Sequence, residues 1–133
     1  MIVRITYFTT LAAVLTTVVV LVLTHIPNSA LPHRFIFDDK MMHYVAYSVI
    51  SLLYGISFSP NGYKGLLGLL IVAVGVGILA AIDEYSQQYF GRNTELQDYY
   101  ADLYGVATGI GLSFVVWAIK TICKIKVNVH ISK

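Results

Sequence analysis

The polar residues of this chain gather in two stretches, Asp38-Asp39-Lys40-x-x-His43 and Asp83-Glu84-x-x-Gln87-x-x-x-Gly91-Arg92-x-x-x-x-x-Asp98-x-x-x-Asp102. Their types can do chemistry together. A carboxylate such as Glu84 or Asp98 can act as a general base, His43 as an acid or metal ligand, and Arg92 can steady an oxyanion. Lys40, His43 and Arg92 can receive phosphate or carboxylate. Asp39, Asp83, Glu84, Asp98 and Asp102 oppose an anion, so five acids against two fixed cations favour sugar hydroxyls, amines, or a phosphate held through a metal. One His among acids suits Mg²⁺, Ca²⁺ or Mn²⁺ better than Zn²⁺. No cofactor is predicted beyond such a divalent cation.

Helical spacing explains how these residues come together. Asp39, His43 and Tyr47 repeat at i, i+4 and form one polar stripe on a helix. Asp98, Asp102, Gly105 and Gly109 share another stripe, which stands two carboxylates above glycines that admit a neighbouring helix. Glu84 and Gln87 are three apart, and Gln88 completes an i, i+4 pair with Glu84. Arg92 follows Gly91, in a loop that leaves its fork free to reach carboxylate or phosphate.

The rest of the chain is oily. Its 133 residues are 57% hydrophobic and 12% charged, with a mean hydropathy of +0.72, against about 25% charged in soluble domains. Apolar runs at 5–24, 41–58, 65–82 and 103–119 are each long enough to cross a hydrocarbon core of about 30 Å as a helix. The expected fold is therefore all-α, a single integral membrane domain over 1–133 with four transmembrane helices. The first run is too long for a signal-peptide core and is read as a retained span. Pro27-Asn28-Ser29 and Pro32 close that run, and Ser59-Pro60-Asn61-Gly62 links the second and third as a hairpin. Ala73-x-x-x-Gly77-x-x-x-Ala81 and Ala101-x-x-x-Gly105-x-x-x-Gly109 are candidate helix contact stripes.

Four spans bring the first and third loops to one face, together with both polar stretches. Arg4, Lys64, Lys120, Lys124, Lys126 and Lys133 lie on the other side, against Arg34, Lys40 and Arg92 here, so both termini are expected in the cytoplasm and the polar face outside. The tail at 120–133 is basic and suits an anionic cytoplasmic leaflet. A net charge of +2 with dispersed basic residues excludes a nucleic-acid surface, and the single Cys123 excludes an internal disulfide or Cys-based zinc site. His25 and His33 are read as interface residues. So are most of the tyrosines near this face, Tyr44, Tyr47, Tyr85, Tyr89, Tyr99, Tyr100 and Tyr104.

Asp39-Lys40-x-x-His43, then Asp83-Glu84-x-x-Gln87-x-x-x-Gly91-Arg92, then Asp98-x-x-x-Asp102-x-x-Gly105-x-x-x-Gly109 resembles the VanZ-like membrane protein family over about residues 36–112. The chain departs from the family in Asp102, where many members carry Asn, and in Phe90, where a Pro is frequent. The resemblance implies a small multi-helix protein of the bacterial cytoplasmic membrane. It also implies a connection to teicoplanin susceptibility through the founding member, and it supplies no reaction.

Three functions fit these residues. The first is an extracytoplasmic pocket that binds an envelope lipid, a lipid-linked cell-wall precursor or a teicoplanin-type lipoglycopeptide, through Asp39, Lys40, His43, Glu84, Gln87, Arg92, Asp98 and Asp102. The second is a membrane-embedded, divalent-metal-dependent hydrolase or transferase with Glu84, His43 and Asp98 as catalytic candidates, although no G-x-S-x-G motif is present. The third is an ion-pair network that only ties the outer loops. More charges gather here than structural pairing needs, and that favours a ligand. Oligomeric state is left open by the glycine stripes.

Overall fold

The computed structural model describes residues 2–27, 39–58, 63–92 and 94–131, with side chains over 6–27, 39–58, 64–92 and 94–124. Asn28, Ser29, Pro32, His33, Arg34, Asp38, the 59–62 link and the side chains of Arg4, Lys126 and Lys133 lie outside them. Four helices follow in order: α1 (Ile2–Thr24), α2 (Asp39–Phe58), α3 (Tyr63–Gln87) and α4 (Leu96–Ile131). All four are long and apolar enough to cross a membrane. They outrun the uncharged sequence runs, because each helix continues through the polar residues at its end. α2 begins at Asp39 itself, and α3 carries Asp83, Glu84 and Gln87 in its last two turns.

Large apolar side chains point outward along every helix, including Val18, Leu70, Ile71, Ile78 and Val115, each more than half exposed. In water such a surface would aggregate, whereas against lipid it is the ordinary exterior. The interior is a thin apolar seam of Tyr47, Ile50, Val72, Val76, Ala80 and Val106.

α2 is the hub, packed on each of the other three helices and most intimately on α4. The sequence reason is Gly105 and Gly109. A methyl group at Gly105 would press on Tyr44 O and come within 3.0 Å of Ser48 N, and one at Gly109 would press on Ser48 O and come within 2.7 Å of Ser51 Cβ. Backbone meets backbone here, as the small-residue stripe on α4 predicts. The stripe on α3 behaves differently. A Cβ at Gly77 would meet only Leu103 Cδ2, at 3.8 Å, and Ala73, Gly77 and Ala81 line an open groove beside α4 instead of a tight contact.

α1 packs on α2 and only grazes α3. Ser57 Oγ donates to Thr9 Oγ1 at 2.8 Å, which joins the end of α2 to the start of α1. The antiparallel order places the C-terminal ends of α1 and α3 beside the N-terminal ends of α2 and α4. Parity of the spans predicts this convergence, and it positions the site.

Candidate functional site

α3 ends in a single 3₁₀ turn, Gln88–Phe90, closed by Gly91 at φ 73°. Only glycine adopts that left-handed conformation without strain. The reversal lets Arg92 N donate to Gln87 O at 3.3 Å and sends the Arg92 side chain back to the first turn of α2. There Nη2 donates to Asp39 Oδ1 at 3.0 Å and Oδ2 at 2.8 Å. Lys40 Nζ, on the same turn of α2, donates to Glu95 Oε2 at 3.0 Å and lies 3.5 Å from Asp98 Oδ1. Both fixed cations therefore spend their strongest contacts on carboxylates that are about half exposed, Asp39 and Glu95.

Four carboxyls sit deeper: Asp83, Glu84, Asp98 and Asp102 are 1%, 7%, 4% and 0% exposed. Asp83 is fully engaged. Its Oδ1 accepts from Thr24 Oγ1 at 2.9 Å and its Oδ2 from the buried Tyr47 hydroxyl at 3.0 Å, binding α1, α2 and α3 together. His25 adds to this corner: Nδ1 donates to Leu21 O at 2.7 Å, and Nε2 lies 2.8 Å from Ser86 Oγ. Glu84 Oε1 accepts from Glu95 N at 2.7 Å, which ties the end of α3 to the start of α4, while its Oε2 receives only a long 3.5 Å contact from Gln87 Nε2.

The centre of the cluster is His43, 3% exposed. Its Nδ1 lies 2.9 Å from Asp102 Oδ1 and bridges α2 to α4. Asp102 Oδ2 and Asp98 Oδ1 are buried with no hydrogen-bond partner among the described residues. Lys40 reaches Asp98 Oδ1 only at ion-pair distance. Each orphaned oxygen costs about 1–3 kcal/mol if nothing answers it. The buried acidic groups thus outnumber the cations beside them.

All eight residues singled out from the sequence, Asp39, Lys40, His43, Glu84, Gln87, Arg92, Asp98 and Asp102, lie at this one end of the bundle. They divide in two. His43, Glu84, Gln87, Asp98 and Asp102 form the buried centre, while Asp39, Lys40 and Arg92 form an ion-paired rim. Gln88 does not join them, because its Nε2 donates to Tyr85 O on the exposed side. Glu95, Thr24, His25 and Ser86 belong to the network without having been singled out. The only sequence signal for them is position: Thr24-His25 ends one apolar run, and Glu95 immediately precedes α4.

A cleft of about 70 Å³ opens between α1 and α2, with Asp39, His43, Tyr47 and Arg92 on one side and Val20 and Leu23 on the other. It has room for an ion or a few waters. The groove between α3 and α4 is larger, about 510 Å³, and runs along Ala73, Gly77 and Ala81 to Tyr85, Ser86 and Tyr99 at the polar end. Ser86 lines the groove and contacts His25.

Comparison with family models, with curated proteins and with solved structures found no match. The resemblance to the VanZ-like family therefore rests on the residues quoted for it.

Proposed function

We propose that this chain is a VanZ-like membrane protein that binds the polar head of an envelope amphiphile. The ligand class is an envelope lipid, a lipid-linked cell-wall precursor or a teicoplanin-type lipoglycopeptide. The observation that carries this reading is the junction at Ser86. Ser86 lines the polar end of an apolar groove large enough to seat a ligand, and it contacts His25 beside the buried carboxylate of Asp83. A molecule with a tail and a hydrophilic head has both halves answered there. In this reading both termini face the cytoplasm and the cluster faces outward in a bacterial cytoplasmic membrane, following the basic residues opposite it. Altered antibiotic susceptibility would follow from capture of the amphiphile.

A second reading is supported by the His43–Asp102 pair. An imidazole oriented by a buried carboxylate, with Glu84 and Asp98 nearby, has the parts of a general acid and base for hydrolysis or transfer on a lipid-linked substrate. The purely structural reading accounts well for Arg92 with Asp39 and for Asp83 with Tyr47 and Thr24. It accounts for Asp98 through Lys40 but leaves Asp102 Oδ2 without a purpose.

The test is native mass spectrometry of the purified chain after incubation with a bacterial lipid extract and with teicoplanin. The expected result is stoichiometric retention of an amphiphile, reduced at least tenfold in Gly77→Leu, which fills the groove, and in Glu84→Gln. Turnover of the retained species would select the enzymatic reading. No retention by the parent, or retention unchanged in both variants, would end the binding proposal.

A further inference from the structure

The same cluster supports a more specific assignment, which rests on the amphiphile-binding reading for its purpose but not for its existence. We infer that His43, Glu84 and Asp102 form a divalent-cation site of the Mn²⁺ type, which receives the anionic part of the amphiphile's head.

Each of these three residues places a ligand-capable atom within 4.8 Å of the other two. Two ligands on opposite sides of one ion, at about 2.1–2.4 Å each, lie roughly 4.2–4.8 Å apart, so the set is compact enough for one ion without moving a helix. Neighbouring ligands at about 2.1 Å and a right angle sit about 3.0 Å apart, close to the 2.9 Å between His43 Nδ1 and Asp102 Oδ1. That contact is then one edge of a coordination sphere, and the ion displaces the hydrogen held there.

The independent sign of a ligand is the unpartnered Asp102 Oδ2. Asp102 is 0% exposed and bridges two helices, yet one of its oxygens meets no donor among the described residues. Asp98 Oδ1, a turn earlier on α4, also lacks a hydrogen bond but has Lys40 Nζ at 3.5 Å. No fixed cation pairs with Asp102, because Arg92 donates to Asp39 and Lys40 donates to Glu95 and pairs with Asp98. A competing trio, Asp39, His43 and Asp98, is also compact. It is the poorer site, since both Asp39 oxygens already accept from Arg92 and the residue is exposed.

The donor set selects the ion. Two carboxylates and one neutral imidazole cancel a 2+ charge, which makes the assembly affordable in a low-dielectric interior. Imidazole disfavours Mg²⁺ and Ca²⁺, the lack of thiolate or thioether disfavours Cu(I), and two carboxylates to one imidazole match Mn²⁺ better than Zn²⁺, whose thiolate-free sites rest on two or three His. The consequence is a reversal of sign. An acidic pocket that repels phosphate becomes one that holds it through the ion.

The test uses the full chain in detergent or nanodiscs, freed of metal with a chelator and titrated with Mn²⁺. Binding is followed by electron paramagnetic resonance and by the melting temperature. The expected result is one saturable ion per chain, a rise in melting temperature, and a nitrogen coupling from imidazole that His43→Gln removes. Asp102→Asn and Glu84→Gln should each weaken Mn²⁺ binding at least tenfold, and Glu95→Gln should not. Because a neutral amide removes buried charge, the metal-free amide variants should melt no lower than the metal-free parent. Absence of saturable binding by the folded parent, or of the imidazole coupling, overturns the site whatever the variants do. So does an affinity unchanged in both amide variants. Amphiphile retention is scored separately with and without Mn²⁺. Ion binding with no retention sinks the lipid reading alone, and retention with no ion binding sinks the metal site alone.

Discussion

Gly105→Ala should break the site without touching a polar atom. The added methyl would press on Tyr44 O and come within 3.0 Å of Ser48 N and 3.2 Å of Tyr44 C. These are backbone atoms of a helix and cannot swing aside. Restoring ordinary contact, about 3.5 Å or more, requires α2 and α4 to part by roughly 1 Å. His43 is the neighbour of Tyr44, and Asp102 lies less than one turn before Gly105. The same displacement therefore stretches their 2.9 Å contact to about 3.9 Å, beyond hydrogen-bond range. Overpacking of this kind costs about 1–3 kcal/mol, partly offset by the better helix propensity of Ala, worth up to about 1 kcal/mol. Gly111→Ala is the internal standard, since a methyl there meets nothing within 4 Å; it should show only the propensity gain. Thermal unfolding in detergent should place Gly105→Ala below the parent and Gly111→Ala at or above it. Nitrogen NMR of the His43 ring should report loss of the Asp102 contact in Gly105→Ala alone. If Gly105→Ala melts with Gly111→Ala and the His43 resonance is unmoved, the close approach of α2 and α4 does not set the geometry of the site.

Tyr47→Phe keeps the buried shape but leaves Asp83 Oδ2 without its 3.0 Å donor, and should destabilise the bundle by about 1–3 kcal/mol. A double-mutant cycle with Asp83→Asn should recover part of that loss, and strict additivity would refute the coupling. Arg92→Gln should cost about 1–3 kcal/mol in the same melt, because the Arg92 side chain is only 8% exposed although its partner Asp39 is 51% exposed; no measurable loss would show that this pair does not hold the loop to α2. Thr24→Val removes the 2.9 Å tie from α1 to Asp83, so hydrogen exchange should quicken near the end of α1 while the α2–α4 seam stays protected. Uniform acceleration across all four helices would contradict the peripheral place assigned to α1.

The convergence of the two polar stretches was legible because it needs only the parity of the spans and the period of a helix. His43 and Tyr47 turn inward as their i, i+4 spacing from Asp39 requires, and Gly105 and Gly109 admit α2 as a stripe of small residues should. The α3 stripe misled because Ala73, Gly77 and Ala81 have the same pattern as a packed seam. The pattern records what a neighbour is allowed to do, and α4 leans on that face only loosely. Pairing was harder to read than placement. Nothing in the local sequence says that Arg92 would choose Asp39 over Glu84, since that choice follows from the left-handed turn at Gly91. His25 was set aside as an interface residue, and its contacts with Ser86 and Leu21 depend on where α1 ends relative to α3. Glu95 lies one residue outside a helix, and its amide reaches Glu84 only after the intervening loop has closed.

The arrangement of charge, more than its amount, argues against a purely structural role. A bundle that needed only to tie its loops could do so with Lys40 and Glu95 at the surface, where pairing is inexpensive. Buried ionic groups are often replaced by apolar ones with no loss of stability, so a cluster kept as costly as this one calls for something that stability alone does not supply. Here the ammonium lies toward the surface and the guanidinium, itself 8% exposed, reaches the half-exposed Asp39, while the carboxyls of Glu84, Asp98 and Asp102 gather near one imidazole. A lysine two turns deeper than Lys40 on α2, at Tyr47, would bring a cation to the buried centre. The chain instead places there a hydroxyl that serves Asp83 and leaves Asp102 half satisfied. A centre left electron-rich inside a rim of matched pairs is poised to take a positive charge from outside the chain, whether that charge is an ion or an ammonium group on the ligand.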